Sequence, residues 1–348
     1  MLRVQRVALD PSSLPQDFWQ SQDSELMVDE RWALDHEEQI QFLAKHLPVL
    51  SSHVWIASSG TLSLDSSWIA LSKEALLENA RAVNLHLGVQ ATDRWALTLP
   101  LSHVGGLSIH ARTHLLHQSI NNLEYEWISL VPTQVFDIVK NKTLPPPTIR
   151  GAIVGGDAIE EVLYQKAVSL GWPILRTYGM SELGSQLATE CRVGDGLKLL
   201  SHAQLIFGDD EVRVASKCLF TLKIKTDFKT LTRIDREGEW WPLPDLVEMK
   251  DERLKILGRR DNVIKVLGVK LDLTSLEREL KAKLGFEVIL RATTDERRGQ
   301  RLILFSEQSV SLEEVNKDLL GFQKISECQK VDAFARTSLG KIKRGQLG

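Results

Sequence analysis

The apolar positions of this chain fall into two recurring patterns. From Val54 onward, short, largely apolar runs such as 95–99 and 149–154 alternate with longer stretches such as 72–86 and 158–170 that read as helical. Short apolar runs read as buried strands and the 3.6-residue period as helices, so the alternation predicts an α/β architecture on a mainly parallel sheet. The first fifty residues read as an amphipathic helical lead, with EEQIQFLAKHL at 37–47 as the clearest part. Strand-like runs near 205–207, 212–215 and 219–224 follow one another with no helical stretch between them, which predicts a small antiparallel piece closing the large domain.

The pattern changes after Gly258. A charged turn, GRRDN, leads into a strand-like run, the helical TSLERELKAKL, and then VILRATT and RLILFSE, the pattern of a small α+β unit. The predicted organisation is a large α/β domain over 1–257 and a small mobile α+β domain over 258–348, linked at 258–262. A length of 348 residues, more than one ordinary core accommodates, agrees with two domains.

Composition narrows the function classes. The net charge of -3 gives no basic footprint for nucleic acid or an anionic membrane. Cys191, Cys218 and Cys328 are odd in number and far apart, which suits neither a disulfide framework nor a zinc site and fits a reducing cytoplasm. No stretch has the length of a signal peptide's apolar core or approaches the roughly 20 apolar residues of a membrane span. The expectation is a cytoplasmic protein with small-molecule partners, no nucleic acid and no membrane span; homo-oligomerisation stays open.

Four segments carry candidate chemistry. SSGT at 58–61 (Ser58, Ser59, Gly60, Thr61) follows an apolar run and leaves backbone N–H groups and hydroxyls free for phosphate oxygens; taken alone it reads more readily as an ordinary Ser/Gly turn. VGGD at 154–157 offers Gly155 and Gly156 for close approach of a flat ring, or a strand-to-helix turn capped by Asp157. In RTYGMSELG at 176–184, Tyr178 can stack on a base and Gly179 permits a tight turn. Ser181 there offers a hydroxyl and Glu182 a carboxylate for Mg²⁺, or Ser181 simply caps a helix. The last segment is the pair GRRDNVIKVLG at 258–268 and RTSLGKIKRG at 336–345; a lysine such as Lys341 would by itself be an ordinary surface residue.

In order, SSGT, LPLSHVGG, VGGD, YGMSE, Asp245, GRRDNVIK and TSLGKIKR resemble the successive core motifs of the adenylate-forming superfamily of acyl- and aryl-CoA ligases. LPLSHVGGLSI, ISLVPTQVF and GEWWPLPD are similar to the 2-succinylbenzoate–CoA ligases of menaquinone biosynthesis. The resemblance implies ATP, Mg²⁺ and coenzyme A as co-substrates and cofactor, and an aromatic acid as substrate. It implies Ser58, Ser59, Gly60 and Thr61 at the β- and γ-phosphates, and His103 beside the reacting carboxylate. Gly155, Gly156, Tyr178 and Gly179 would frame adenine, with Ser181 and Glu182 at the α-phosphate and Mg²⁺. Asp245 and Arg259 would hold the ribose, and Asp261 would be the hinge. Lys341 would serve adenylation, with Lys265 and Gly268 facing the site for thioester formation. Two departures stand out. Leu62, Ser63, Leu64 and Asp65 replace the glycine and lysine that normally follow SSGT, and the region before SSGT is short for the superfamily. Adenylation of another acid, or a degraded nucleotide- or acyl-binding protein, are the rival expectations.

Overall fold

His53–Ala57 doubles back on Ser66–Ser72 as an antiparallel pair, and these two strands centre a mixed six-stranded sheet. The computed structural model describes residues 2–7, 10, 14–58, 66–120, 122–208, 211–236, 238–295, 297–336, 342, 344 and 347. On one side of the central pair lie Ser24–Asp29 and Leu2–Val7, both parallel to His53–Ala57; on the other lie Leu222–Thr226 and Leu231–Ile234, antiparallel. The expected helical lead is therefore corrected. Among the described residues the helices there are Glu30–Asp35 and Glu37–His46, and the parallel strands Leu2–Val7 and Ser24–Asp29 precede them. LRVQRV buries Leu2 and Val7 at its two ends and exposes Arg3 and Arg6, while SELMVD hides polar Ser24 and Glu25 at 1% exposure each. Glu25 is tolerated inside because Lys73, also 1% exposed, lies 3.9 Å away and donates to the Ser21 carbonyl oxygen at 3.0 Å.

A second six-stranded sheet contains four short parallel strands, Trp95–Ala96, Trp127–Leu130, Gly151–Val154 and Ile174–Met180. Ser185–Thr189 and Lys198–Leu199 extend it antiparallel. Helices Val104–Leu115, Pro132–Lys140 and Glu161–Ser169 join successive parallel strands, giving the predicted α/β pattern. Their apolar faces bury Leu130, Val135, Val154, Tyr164, Ala167 and Ile174 in one core. Helix Lys73–Leu87 packs on Val104–Leu115; it starts where the Ser72 side chain accepts from the Ala75 N–H and ends at Gly88 in the left-handed region, φ 65°.

The expected antiparallel piece is divided. Ala203–Phe207, Val212–Ser216 and Trp240–Pro242 form a separate three-stranded sheet. The run near 219–224 becomes Leu222–Thr226 and pairs with Ser66–Ser72 instead, a long-range register that local pattern does not encode.

By its internal contacts the chain divides into two units: Met1–Asp209, Arg213–Pro242 and Met249–Leu254 in one, and Asp210–Val212, Leu243–Glu248 and Lys255–Gly348 in the other. The second unit carries the hairpin Val263–Val266/Val269–Asp272 and the sheet Val288–Asp295, Gly299–Ser306 and Ile325–Lys330. Helix Leu273–Leu284 packs on that sheet through Leu276 and Leu280, and the buried Glu277 accepts from both terminal nitrogens of Arg344 at 2.7 and 2.6 Å.

One buried acid ties the two strands that end the parallel part of the second sheet. Glu190, fully buried, accepts from the Arg176 backbone N–H at 2.8 Å and from its guanidinium at 2.9 and 2.7 Å, with the Gly196 N–H at 3.3 Å. We expect Glu190→Ala to destabilise the protein by about 3 kcal/mol, since it strands a charge and a backbone donor. Urea unfolding checks this; a loss below about 1 kcal/mol would mean that water replaces the carboxylate at little cost.

Candidate functional site

Parallel strands place all their carboxyl ends at one edge of a sheet, which in open α/β folds is where ligands bind. Four connections leave the second sheet at that edge. After Trp95–Ala96 the chain runs through LPLSH to His103, the residue preceding helix Val104–Leu115. Close packing fixes this turn: a Cβ on Gly106 would stand 2.2 Å from the Pro100 carbonyl oxygen, and one on Gly105 2.9 Å from Leu99 Cδ1. Burial pulls the His103 pKa down, partly offset by the charge of Asp29, so the imidazole is neutral at physiological pH.

After Gly151–Val154 come Gly155 and Gly156. A Cβ at Gly155 would lie 2.6 Å from Thr177 Cγ2, and Gly156 has φ +81°. Next to them Ile174–Met180 delivers Tyr178 and Gly179. A register shift between these two residues brings the Ser185 carbonyl so close that a Cβ on Gly179 would stand 1.9 Å from it; glycine is obligatory there. The short turn Ser181–Leu183 follows, closed by Gly184 at φ 66°, with Ser181 buried.

Glu182 links the two sheets. Its backbone oxygen accepts from the Phe220 N–H at 2.9 Å, and its carboxylate meets Lys223 Nζ at 2.7 Å. Lys223 stands on Leu222–Thr226, the strand paired with Ser66–Ser72. Sequence reasoning missed this lysine because LKIKT reads as an ordinary alternating strand and its partner is 41 positions away. Among the described residues no three His, Cys, Asp or Glu side chains form a metal cluster. One shared carboxylate still fits Mg²⁺, a cation that binds through one or two carboxylates and substrate phosphates rather than through a protein cage.

The edge thus gathers His103, Gly155, Gly156, Tyr178, Gly179, Ser181 and Glu182. Ser58 belongs to the other sheet, where it follows His53–Ala57 and its N–H donates to the Ser67 oxygen at 2.8 Å. Ser59, Gly60, Thr61 and Lys341 lie outside the described residues. The second unit holds the rest: Asp245 Oδ1 is 3.9 Å from Arg259 Nε, and Lys265 is exposed on the hairpin whose two-residue turn is Leu267–Gly268. Both turn residues have positive φ, 52° and 80°, as a tight hairpin turn requires, and Leu267 takes that conformation without glycine's freedom.

A second residue missed from sequence is Arg112, 1% exposed on helix Val104–Leu115. Its guanidinium donates to the Ser129 and Ser108 hydroxyls at 3.2 Å each and lies 4.8 Å from the Trp95 ring centroid, while its Nε has no partner. Burial pulls its pKa down to about 9, which leaves it cationic at neutral pH, and among the described residues no carboxylate pairs with it. Only the burial of a polar side chain on an otherwise apolar helix face could have flagged it.

No family model matches the chain. The 2-succinylbenzoate–CoA ligase of Bacillus subtilis strain 168 is 31% identical over 170 residues, covering 44% of this chain and 31% of that protein. That of Bacillus cytotoxicus is 25% identical over 294 residues, covering 71% and 61%. The chain thus matches less than two thirds of the length of these curated relatives. Among solved structures, o-succinylbenzoate CoA synthetase from Bacillus subtilis in complex with its acyl-adenylate intermediate gives a TM-score of 0.72 at 18% identity, over 93% of this chain and 82% of that one. The same synthetase in complex with ATP and magnesium ion gives 0.71 at 18%, over 93% and 84%. The fold is that of the adenylate-forming enzymes, in a shortened form.

The helix headed by His103 also carries His110, whose Nδ1 accepts from Trp19 Nε1 at 2.8 Å; burial, with a smaller push from His114, takes its pKa from 6.5 to about 4. The folded pKa lies below the unfolded one, so the unfolded state binds more protons between those values and stability falls as pH drops through that window. Lowering pH from 7.5 to 5 should cost about 2 kcal/mol through this residue, with His86, His103, His114 and His202 shifted in the same direction. Urea midpoints at the two pH values measure it, and His110→Phe should flatten the difference; a pH-independent midpoint would contradict the assignment.

Proposed function

We propose that this chain activates an aromatic carboxylic acid as its acyl-AMP using ATP and transfers the acyl group to coenzyme A, with 2-succinylbenzoate as the acid. The observation that carries the reading is the convergence, on one carboxyl edge of an adenylate-forming fold, of His103, the Gly155–Gly156 turn and the Tyr178–Glu182 segment.

In the first step a carboxylate oxygen attacks the α-phosphorus and pyrophosphate leaves with the electron pair of the broken P–O bond. The bare Gly155–Gly156 backbone gives adenine a flat surface, the Tyr178 ring stacks on it, and the Ser181 hydroxyl donates to an α-phosphate oxygen. Asp245 accepts from the ribose hydroxyls, with Arg259 3.9 Å from its carboxylate to hold it. Neutral His103 orients the acid's carboxylate without trapping it as an ion pair. Glu182 would hold Mg²⁺, which would supply charge neutralisation at the phosphates. Lys341 stabilises negative charge at phosphorus in this step. In the second step a thiolate attacks the acyl carbonyl and AMP leaves, and there Lys265 and Gly268 serve. A location in the cytoplasm agrees with these substrates, and no helix among the described residues is long and apolar enough to cross a membrane.

Two things favour 2-succinylbenzoate over a simple aryl acid: the names of the curated relatives, and Arg112, a buried cation suited to an acid with a second carboxylate. Pyrophosphate release with 2-succinylbenzoate and a panel of monocarboxylic aryl acids, with and without coenzyme A, tests the reading. A chain that binds nucleotide yet releases no pyrophosphate with any acid is the degraded binder.

Two predictions follow from these roles. Lys341→Ala should abolish acyl-AMP formation and leave thioester formation from supplied acyl-AMP largely intact, whereas Lys265→Ala should let acyl-AMP accumulate. Equal loss of both half-reactions in either variant refutes the division of labour. Arg112→Met should raise KM for 2-succinylbenzoate at least tenfold while changing that for benzoate less than twofold, read from initial rates. A uniform loss across acids would make Arg112 a packing residue alone.

A further inference from the structure

The segment following SSGT, LSLD at 62–65, contains neither lysine nor arginine, so its side chains bring no positive charge to a triphosphate. Positive charge is concentrated elsewhere in the same unit. Phe220 and Trp241 meet edge to face at 4.7 Å between centroids. Arg236 lies over the Phe220 ring at 5.6 Å, and Lys223 Nζ is 6.0 Å from the Trp241 ring while touching Glu182 at 2.7 Å. The Phe220 N–H donates to the Glu182 carbonyl oxygen at 2.9 Å, which fixes the aromatic pair against the turn that bears Glu182. Half-buried, Arg236 has its pKa lowered by desolvation, and among the described residues no carboxylate accepts from it. A guanidinium held on one aromatic ring, with no acid of its own and a second cation on the ring packed against it, suits an oxyanion.

We propose that Lys223 and Arg236, mounted on the Phe220–Trp241 pair, bind the β- and γ-phosphates of ATP and the departing pyrophosphate. The proposal rests on the adenylate-forming reading for the identity of the ligand, but the oxyanion site itself does not. Lys223 bridges from Glu182 to the phosphate, so the one carboxylate that would meet Mg²⁺ also orients the lysine. When the P–O bond at the α-phosphorus breaks, its electron pair stays with pyrophosphate, and the added negative charge develops beside the two cations. No proton is transferred. Guanidinium and ammonium then do what a lysine in the glycine-rich loop would otherwise do.

Isothermal titration calorimetry of the full chain with inorganic pyrophosphate, ATP and AMP tests this. The wild-type chain should bind pyrophosphate, with affinity falling as salt rises. Arg236→Met and Lys223→Met should each weaken pyrophosphate and ATP at least tenfold and AMP less than twofold, and Arg236→Lys should recover part of the loss. Equal weakening of ATP and AMP, or no change for ATP, overturns the site. A wild-type chain that binds no pyrophosphate also overturns it. Pyrophosphate binding without AMP or ATP binding keeps the oxyanion site and removes the adenylating function. Nucleotide binding indifferent to both methionine variants keeps the function and removes the site.

Discussion

A fully buried carboxyl group is tolerated only where donors surround it, and Glu190 has four: a backbone N–H and two guanidinium nitrogens from Arg176, and the Gly196 N–H. These bonds tie Arg176, within Ile174–Met180, to the segment that leaves Ser185–Thr189. Arg176 is held on its other side by the Tyr164 ring at 4.5 Å and by Glu161, both on the helix that precedes its strand. The position at which Tyr178, Gly179, Ser181 and Glu182 emerge is therefore set by electrostatics at the base of the strand. Were that clamp loosened, the bulge at Gly179 would have no fixed register to interrupt, and the whole edge would lose its shape.

Helix-forming stretches were legible in the sequence: residues 72–86 and 158–170 appear as Lys73–Leu87 and Glu161–Ser169, and TSLERELKAKL as most of Leu273–Leu284. Helical bonds are local and their period shows in a window of a dozen residues. Strands fared less well, because pairing is decided by partners far away. LRVQRV and SELMVD were hidden by the helical residues that follow them, and 219–224 was assigned to the wrong sheet. The glycines of LPLSHVGG and YGMSE were readable as chemistry, yet Gly106 and Gly179 are fixed by contacts with the protein's own carbonyls. Lys223 and Arg112 left no local trace, one being an alternating strand residue and the other a polar residue on a buried helix face.

A candidate site residue and several polar groups that resist burial share one helix, Val104–Leu115. Its first residue neighbour, His103, stands at the carboxyl edge, while Arg112 and His110 carry buried polar groups farther along. An apolar helix would pack the core more cheaply. Here Arg112 is held by the Ser129 and Ser108 hydroxyls and His110 by the Trp19 indole N–H.

The parallel strands end at Trp95–Ala96, only two residues long and paired on one side alone. The next backbone donor, the Leu97 N–H, is taken by the Asn122 side-chain oxygen at 2.7 Å, and Arg94 at the strand's start is engaged by Glu126 and the exposed Glu124. A side chain has thus been substituted for a neighbouring strand, and charges flank it. With that donor taken and the strand only two residues long, the described part of this edge offers another chain little to pair with, which guards against edge-to-edge aggregation.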